Sequence, residues 1–142
     1  MAHAHRIAEI KGLSDEAKAK LTAAGIGTVE HLLARTGDAG KKAALAKELG
    51  VPGPELTEWI NRADLMRLNG VGTQYADLLE NVGVDSCKEL QHRIPANLHA
   101  KMVASNEGGK FTQRTPTLTQ VTAWIAEAKA IVTESAAAAS AD

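Results

Sequence analysis

Aromatic residues are scarce in this sequence: two tryptophans, one tyrosine and one phenylalanine make up 3% of its 142 residues. So few rings argue against an aromatic-rich β-sandwich and against an RNA-binding domain that stacks bases on aromatic side chains. Alanine is frequent, whereas the β-branched residues that favour strands are not. The composition therefore predicts an all-α fold with a core built from leucine and alanine.

Cysteine, surplus charge and long apolar runs are also lacking. The single cysteine, Cys87, excludes an internal disulfide and a cysteine metal cluster. Sixteen Lys and Arg against 17 Asp and Glu give a formal net charge of −1, whereas proteins that bind nucleic acid tightly usually carry a basic surplus. No apolar run reaches the roughly 18 residues of a membrane span, and residues 1–6 do not open a secretory signal. We therefore expect a cytoplasmic protein with no membrane partner, and any contact with nucleic acid to be local or weak.

Residues that start and stop helices recur along the chain. Hydroxyl side chains suited to helix N-caps occur at Ser14, Thr28, Ser86 and Thr117. The last two are followed three residues later by Glu or Gln, as in a capping box. Gly25 and Gly83 suit helix C-termini. The longer internal helices are predicted over residues 38–49, 54–69, 73–82 and 95–105, and a loop is predicted over residues 107–116.

The order of glycines, leucines and tryptophans is repeated at an offset of 58 residues, which is the difference between Gly12 and Gly70. The pairs matched at this offset include Leu21 with Leu79, Gly25 with Gly83, Thr28 with Ser86, and Arg35 with Arg93. Further along, the offset grows to 65, which aligns Trp59 with Trp124 and leaves residues 108–114 as an insertion. Such order is hard to obtain by chance in a short chain.

The repeat predicts the domain organisation. Two tandem five-helix repeats, residues 4–69 and 54–134, share the long helix 54–69. Neither half is large enough to bury a sufficient core alone, so the two are expected to pack as a pseudo-twofold pair. Residues 135–142 are rich in alanine and are expected to form a disordered tail.

A glycine turn separates two predicted helices in each repeat. The segment from Leu65 to Gly72, with its Leu68-Asn69-Gly70-Val71-Gly72 end, resembles the helix-hairpin-helix motif, and residues 7–14 match it in part. The tandem arrangement resembles an uncharacterised bacterial family of paired helix-hairpin-helix domains over about residues 7–131. The resemblance implies one of the two roles that such a hairpin has in the wider superfamily. It either binds a DNA phosphate without reading the base sequence, or it serves only in protein packing.

The second hairpin has a physical basis for binding phosphate. Two glycines permit a tight turn with positive φ, and the N–H groups at the start of the next helix, with the helix dipole, form an anion site. That helix opens without a carboxylate, and Arg67 could flank a phosphate. The predicted nucleic-acid-binding residues are Arg67, Asn69, Gly70, Val71, Gly72, Thr73 and Gln74, with Lys11 from the first hairpin.

The two hairpins are not expected to be equivalent. In the first, Ser14 replaces the second glycine, and Asp15 and Glu16 lie where an anion would bind. Copying that acid into the second hairpin, as Thr73→Asp, is predicted to abolish phosphate contact and to leave folding intact, because an acid in the first turn suits the helix dipole.

Two classes of function remain open at this point. The first is a non-enzymatic module that contacts the nucleic-acid backbone, of DNA in particular, weakly and without sequence preference. The second is a protein–protein adaptor or scaffold, with a second copy of the chain (a homo-oligomer) among its candidate partners, in which the glycine turn only joins two helices and Val71 enters the core. No nucleophile elbow, P-loop or dinucleotide fingerprint is present, and His31, His92 and His99 are scattered, so we expect no enzyme activity, cofactor or metal.

Overall fold

The structure is a computed structural model that describes residues 6–10 and 13–140, with side chains up to Thr133. These residues form eight α-helices: α1 Asp15–Ala23, α2 Val29–Ala34, α3 Ala39–Leu49, α4 Gly53–Met66, α5 Thr73–Asn81, α6 Cys87–Leu90, α7 Pro95–Ser105 and α8 Leu118–Ser140. Single 3₁₀ turns occur at Ile7–Glu9 and Glu107–Gly109. The described residues contain no strand, only an isolated bridge between Arg6 and Thr28, so the predicted all-α fold is confirmed.

The helices begin where the capping residues predict. The hydroxyl oxygens of Ser14, Thr28 and Ser86 accept hydrogen bonds from backbone N–H groups three residues further on, at 3.1, 3.2 and 3.1 Å. At α8 the capping box is complete, because the Thr117 N–H donates to Gln120 Oε1 at 2.9 Å and the Gln120 N–H donates to Thr117 Oγ1 at 3.1 Å. Each such cap satisfies backbone donors that a helix N-terminus leaves unpaired.

The ends of α1 and α5 have the same backbone geometry. Gly25 and Gly83 follow these helices with φ of 83° and 93°, in the left-handed region that glycine adopts without strain. The next residues, Ile26 and Val84, each donate their N–H to the carbonyl oxygen five residues earlier at 2.9 Å. Both side chains are buried. This is the Schellman arrangement, in which the reversed chain direction places an apolar residue against the helix just completed.

The residues divide into two compact units, residues 1–73 and residues 74–142. In the first unit α4 packs against α2 and α3, and in the second unit α8 packs against α6 and α7. The first core contains Leu21, Val29, Leu32, Leu45, Leu56 and Trp59, and the second contains Leu79, Cys87, Leu90, Leu98, Met102 and Trp124. The whole of α4 lies in the first unit. The shared use of helix 54–69 and the pseudo-twofold arrangement stay predictions.

In the C-terminal segment α8 continues through Ser140, and the disordered tail over residues 135–142 stays a prediction. Residues 135–140 read Ser-Ala-Ala-Ala-Ala-Ser, and alanine has the highest intrinsic helix propensity. Residues 141 and 142 lie outside the described residues. No helix in the described part of the chain combines the length and apolar character needed to cross a bilayer.

Candidate functional site

The second hairpin forms a tight turn after α4. Leu68 donates its N–H to the Leu65 carbonyl oxygen at 3.1 Å, and Val71 donates to the Leu68 carbonyl oxygen at 3.1 Å. Leu68 and Val71 are fully buried, whereas Asn69 and Gly70 between them are exposed. The two buried side chains therefore hold the turn in place, and its tip faces solvent.

Only one of the hairpin's glycines has the conformation that requires glycine. Gly70 has φ of 86°, but Gly72 is not among the described glycines with positive φ. The positive φ of this tight turn is therefore supplied by Gly70. This residue directly precedes α5, as Ser14 precedes α1, and Ser14 has an ordinary φ of −73°. The difference between the two positions is chemical, because Ser14 has a hydroxyl that caps its helix and Gly72 has no side chain to do so.

The first turn of α5 presents three residues with different surroundings. The Thr73 hydroxyl is half-buried and donates to the Glu9 carbonyl oxygen. The Tyr75 hydroxyl donates to the Arg114 carbonyl oxygen at 2.8 Å. Gln74 is exposed. Of the three side chains, Gln74 is therefore the one that a solvent ligand can approach freely.

This geometry corrects the expectation for Thr73→Asp. An aspartate at this position would replace the Thr73 donor with a carboxylate facing the Glu9 carbonyl oxygen, so two acceptors would meet. The lost hydrogen bond and the repulsion would offset the favourable interaction with the helix dipole. Thr73→Asp is therefore expected to lose the stabilisation that an acid at a helix start usually gives, and the exposed Gln74 is the better position for a charge.

Arg67 lies in the last turn before the hairpin, but its charge is already engaged. Its Nη2 contacts Asp64 Oδ1, and its side chain is 31% exposed. The Arg67 Nε is buried and makes no hydrogen bond. A phosphate that used Arg67 would have to compete with the Asp64 carboxylate, which reduces the contribution expected from this residue.

The first hairpin is described only in part, because Lys11 and Gly12 lie outside the described residues. Ser14 caps α1, and Asp15 and Glu16 occupy its first turn as exposed residues. The Glu16 carboxylate also lies 3.5 Å from Lys20 Nζ. The positive end of α1 is thus capped and surrounded by negative charge, which disfavours a phosphate there.

A buried asparagine that no predicted site includes organises the loop before α8. Asn106 Nδ2 donates to the Thr112 carbonyl oxygen at 3.0 Å and to Thr115 Oγ1 at 2.9 Å. Its Oδ1 accepts from the N–H groups of Phe111 and Thr112, both at 3.0 Å. The amide side chain thus pairs with backbone N–H and C=O groups of this loop, as a neighbouring strand would. The sequence signal that could have indicated it is an asparagine at the end of a helix, two residues before Gly108-Gly109.

The matched arginines, Arg35 and Arg93, perform the same task in the two units. Arg35 Nη1 donates to the Ala24 carbonyl oxygen at 3.2 Å, and Arg93 Nη2 donates to the Gly83 carbonyl oxygen at 3.1 Å. Both carbonyl groups lie where a helix has just ended. A cation at that end is favourable, since it satisfies exposed acceptors and interacts with the helix dipole.

The histidines do not form a metal centre within the described residues. His31 and His92 are exposed, and His99 is half-buried with Nε2 3.0 Å from the Pro116 carbonyl oxygen. The described part of the chain contains no group of three or more His, Cys, Asp or Glu side chains that could hold a metal ion. The candidate binding site is the second hairpin, which contains the predicted residues from Arg67 to Gln74.

Comparison with known proteins identifies a family without a known activity. Curated proteins and solved structures returned no significant match. The resemblance to paired helix-hairpin-helix domains stays a prediction. The sequence profile of DUF4332, a domain of unknown function, matches residues 11–131, and the chain therefore belongs to the DUF4332 family.

Proposed function

We propose that the second hairpin contacts phosphate groups of a nucleic-acid backbone without reading base sequence. The observation that supports this proposal is the opening of α5. Its first turn contains no acidic residue, it exposes Gln74, and it follows a glycine that has no side chain with which to cap the helix. Backbone N–H groups and the positive end of the dipole at such a helix start attract an anion.

The charge of the protein limits how strong this binding is. The net charge is −1, and Arg67 is held by Asp64, so the hairpin can neutralise only a few phosphates. We expect weak binding that is indifferent to sequence, with a slope of log K against log salt of about −2 to −4. Tight binding that persists at high salt, or a preference for one sequence, would contradict a mechanism based on the backbone alone.

Gln74→Glu separates phosphate binding from stability because the two respond with opposite sign. The new carboxylate lies at the positive end of α5 and should stabilise the protein by about 0.3–1 kcal/mol. The same charge repels a phosphate at this helix start, and we expect affinity for a short duplex at low salt to fall about tenfold. Gln74→Lys should do the reverse, with stronger binding and slightly lower stability.

The matched control is Gln91→Glu, which makes the same change in net charge at the end of α6. It should alter affinity far less than Gln74→Glu does. Fluorescence anisotropy with a labelled duplex measures binding, and urea unfolding measures stability. If Gln74→Glu and the parent bind equally well, the second hairpin is not the phosphate site.

A second candidate function is a protein–protein adaptor. The observation that favours it is an exposed apolar side chain, Ile94, in the second unit, which is 61% accessible to solvent. A lack of binding to nucleic acid even at low salt would make this function the leading one.

A further inference from the structure

A surface depression of about 190 Å³ lies where the segment after α6 enters α7. Six residues line it: His92, Arg93, Ile94, Asn97, Leu98 and Lys101. None of them belongs to the second hairpin. A ligand bound here would therefore not use the phosphate site proposed above.

The apolar part of this depression is formed by Ile94 and Leu98. Leu98 is 1% exposed and belongs to the core, whereas Ile94 projects into solvent. The matched residue 58 positions earlier is Thr36, whose hydroxyl donates to the Leu32 carbonyl oxygen at 2.8 Å. In the first unit this position thus has a polar side chain that is hydrogen-bonded within the chain, whereas in the second unit it has a large apolar side chain exposed to solvent.

The charged part of the depression is cationic. In the first unit, Glu48 of α3 pairs with Arg35 Nη2 at 3.0 Å. The corresponding helix of the second unit, α7, contains no Asp or Glu and carries Lys101 as an exposed residue. Arg93 instead pairs through Nε with Glu89, in its own segment, at 3.2 Å. No carboxylate from α7 therefore faces the depression.

We propose that this depression binds an acidic, amphipathic segment of a partner protein. An apolar side chain of that segment packs on Ile94, and an adjacent carboxylate faces the exposed Lys101, next to Arg93, which is already paired with Glu89. Two differences from the first unit favour an acidic, amphipathic partner. Ile94 in place of Thr36 adds apolar surface, and α7 lacks a carboxylate such as Glu48 of α3, so the depression has less negative charge. A nucleic-acid backbone would gain from the cations but would leave Ile94 without an apolar partner.

The size of the surface indicates a weak and transient complex rather than a permanent one. Ile94 provides the apolar contact area and Lys101 the electrostatic selectivity. Loss of either should weaken binding several-fold, and loss of both should abolish it.

The proposal can be tested by titrating the ¹⁵N-labelled full chain with a synthetic helical peptide that has glutamates beside a row of leucines. We expect chemical-shift changes at residues 92–101, and at least a fivefold weaker affinity for the analogue with glutamine in place of each glutamate. Ile94→Ser and Lys101→Glu should each weaken binding by a similar factor. Serine is a favoured N-cap, and Ile94 is the N-cap of α7, so Ile94→Ser should fold normally.

The matched control is Lys129→Glu, which reverses an exposed charge on α8 outside the depression. It should leave the affinity for the peptide unchanged, and so should Gln74→Glu, which tests the hairpin alone. Equal binding of the glutamate and glutamine peptides would overturn the proposal, as would unaltered binding by Ile94→Ser. A short duplex that shifts residues 92–101 more strongly than the peptide would also overturn it. So would a dimer that Ile94→Ser dissociates, because a second copy would then cover this surface.

Discussion

Asn106→Ala tests how strongly a single buried amide stabilises the loop between α7 and α8. The side chain makes four hydrogen bonds, two as donor and two as acceptor, all between 2.9 and 3.0 Å. Alanine removes all four. It also leaves the Thr112 N–H buried without its partner, which costs more than an exposed donor would.

The expected loss of stability follows from these contacts. A typical hydrogen bond contributes about 1 kcal/mol net, and a buried unsatisfied group adds about 1–3 kcal/mol. The loop can relax to hydrate some of these groups, so we expect Asn106→Ala to lower the free energy of unfolding by about 3–4 kcal/mol. That is a large part of the 5–15 kcal/mol that is usual for a protein.

Two further variants grade the effect. Thr115→Val removes only the Thr115 Oγ1 acceptor and should cost about 0.5–1.5 kcal/mol, since Asn106 Nδ2 still donates to the Thr112 carbonyl oxygen. Ser105→Ala changes the residue before Asn106 and should cost less than Thr115→Val. Urea unfolding followed by circular dichroism measures all three variants, and hydrogen exchange reports the amides of Phe111 and Thr112.

One result would refute this account of Asn106. If Asn106→Ala costs no more than Thr115→Val, and the Phe111 and Thr112 amides stay protected, the loop does not depend on the buried amide. It would then be held by the hydroxyl of Tyr75, which donates to the Arg114 carbonyl oxygen, and by the contact of His99 with the Pro116 carbonyl oxygen.

Two other predictions concern the helix ends and the thiol. Gly25→Ala and Gly83→Ala should each destabilise the protein by about 1–2 kcal/mol, because alanine is strained at positive φ. Urea unfolding should find the larger loss at Gly83, where the added Cβ lies 3.2 Å from Arg93 Nη2, and an equal or smaller loss would show that Arg93 moves aside. Cys87 is 1% exposed, so iodoacetamide should modify it only as the protein unfolds, and rapid labelling of the folded protein would contradict its burial.

The features that the sequence predicts well are local. Ser14, Thr28 and Ser86 cap helices as expected, since an N-cap interacts with groups only two or three residues away. Gly25 and Gly83 end helices in the left-handed conformation for the same reason. The all-α class follows from the composition together with these signals.

The candidate site was less predictable because tertiary contacts decide which of its residues are accessible. Thr73 and Glu9 are 64 residues apart, and no local pattern indicates that the hydroxyl of one bonds the carbonyl group of the other. Arg67 was expected to face a phosphate, but its neighbour Asp64 lies one turn away and competes for it. The sequence shows both residues and does not show that the ion pair forms.

The differences between the matched positions indicate where binding is to be sought. In the first copy of the repeated pattern, polar groups are satisfied within the chain: Ser14 caps α1, and Glu48 pairs with an arginine. In the second copy the position of Ser14 is taken by Gly72, which has no side chain with which to cap α5. The helix α7 contains no carboxylate, and it begins next to the exposed Ile94. Groups that are satisfied internally stabilise the fold but have little left to offer a ligand. The small net charge limits how strongly the chain binds an anion, but the local arrangement of the second copy decides where an anion or an acidic segment can bind.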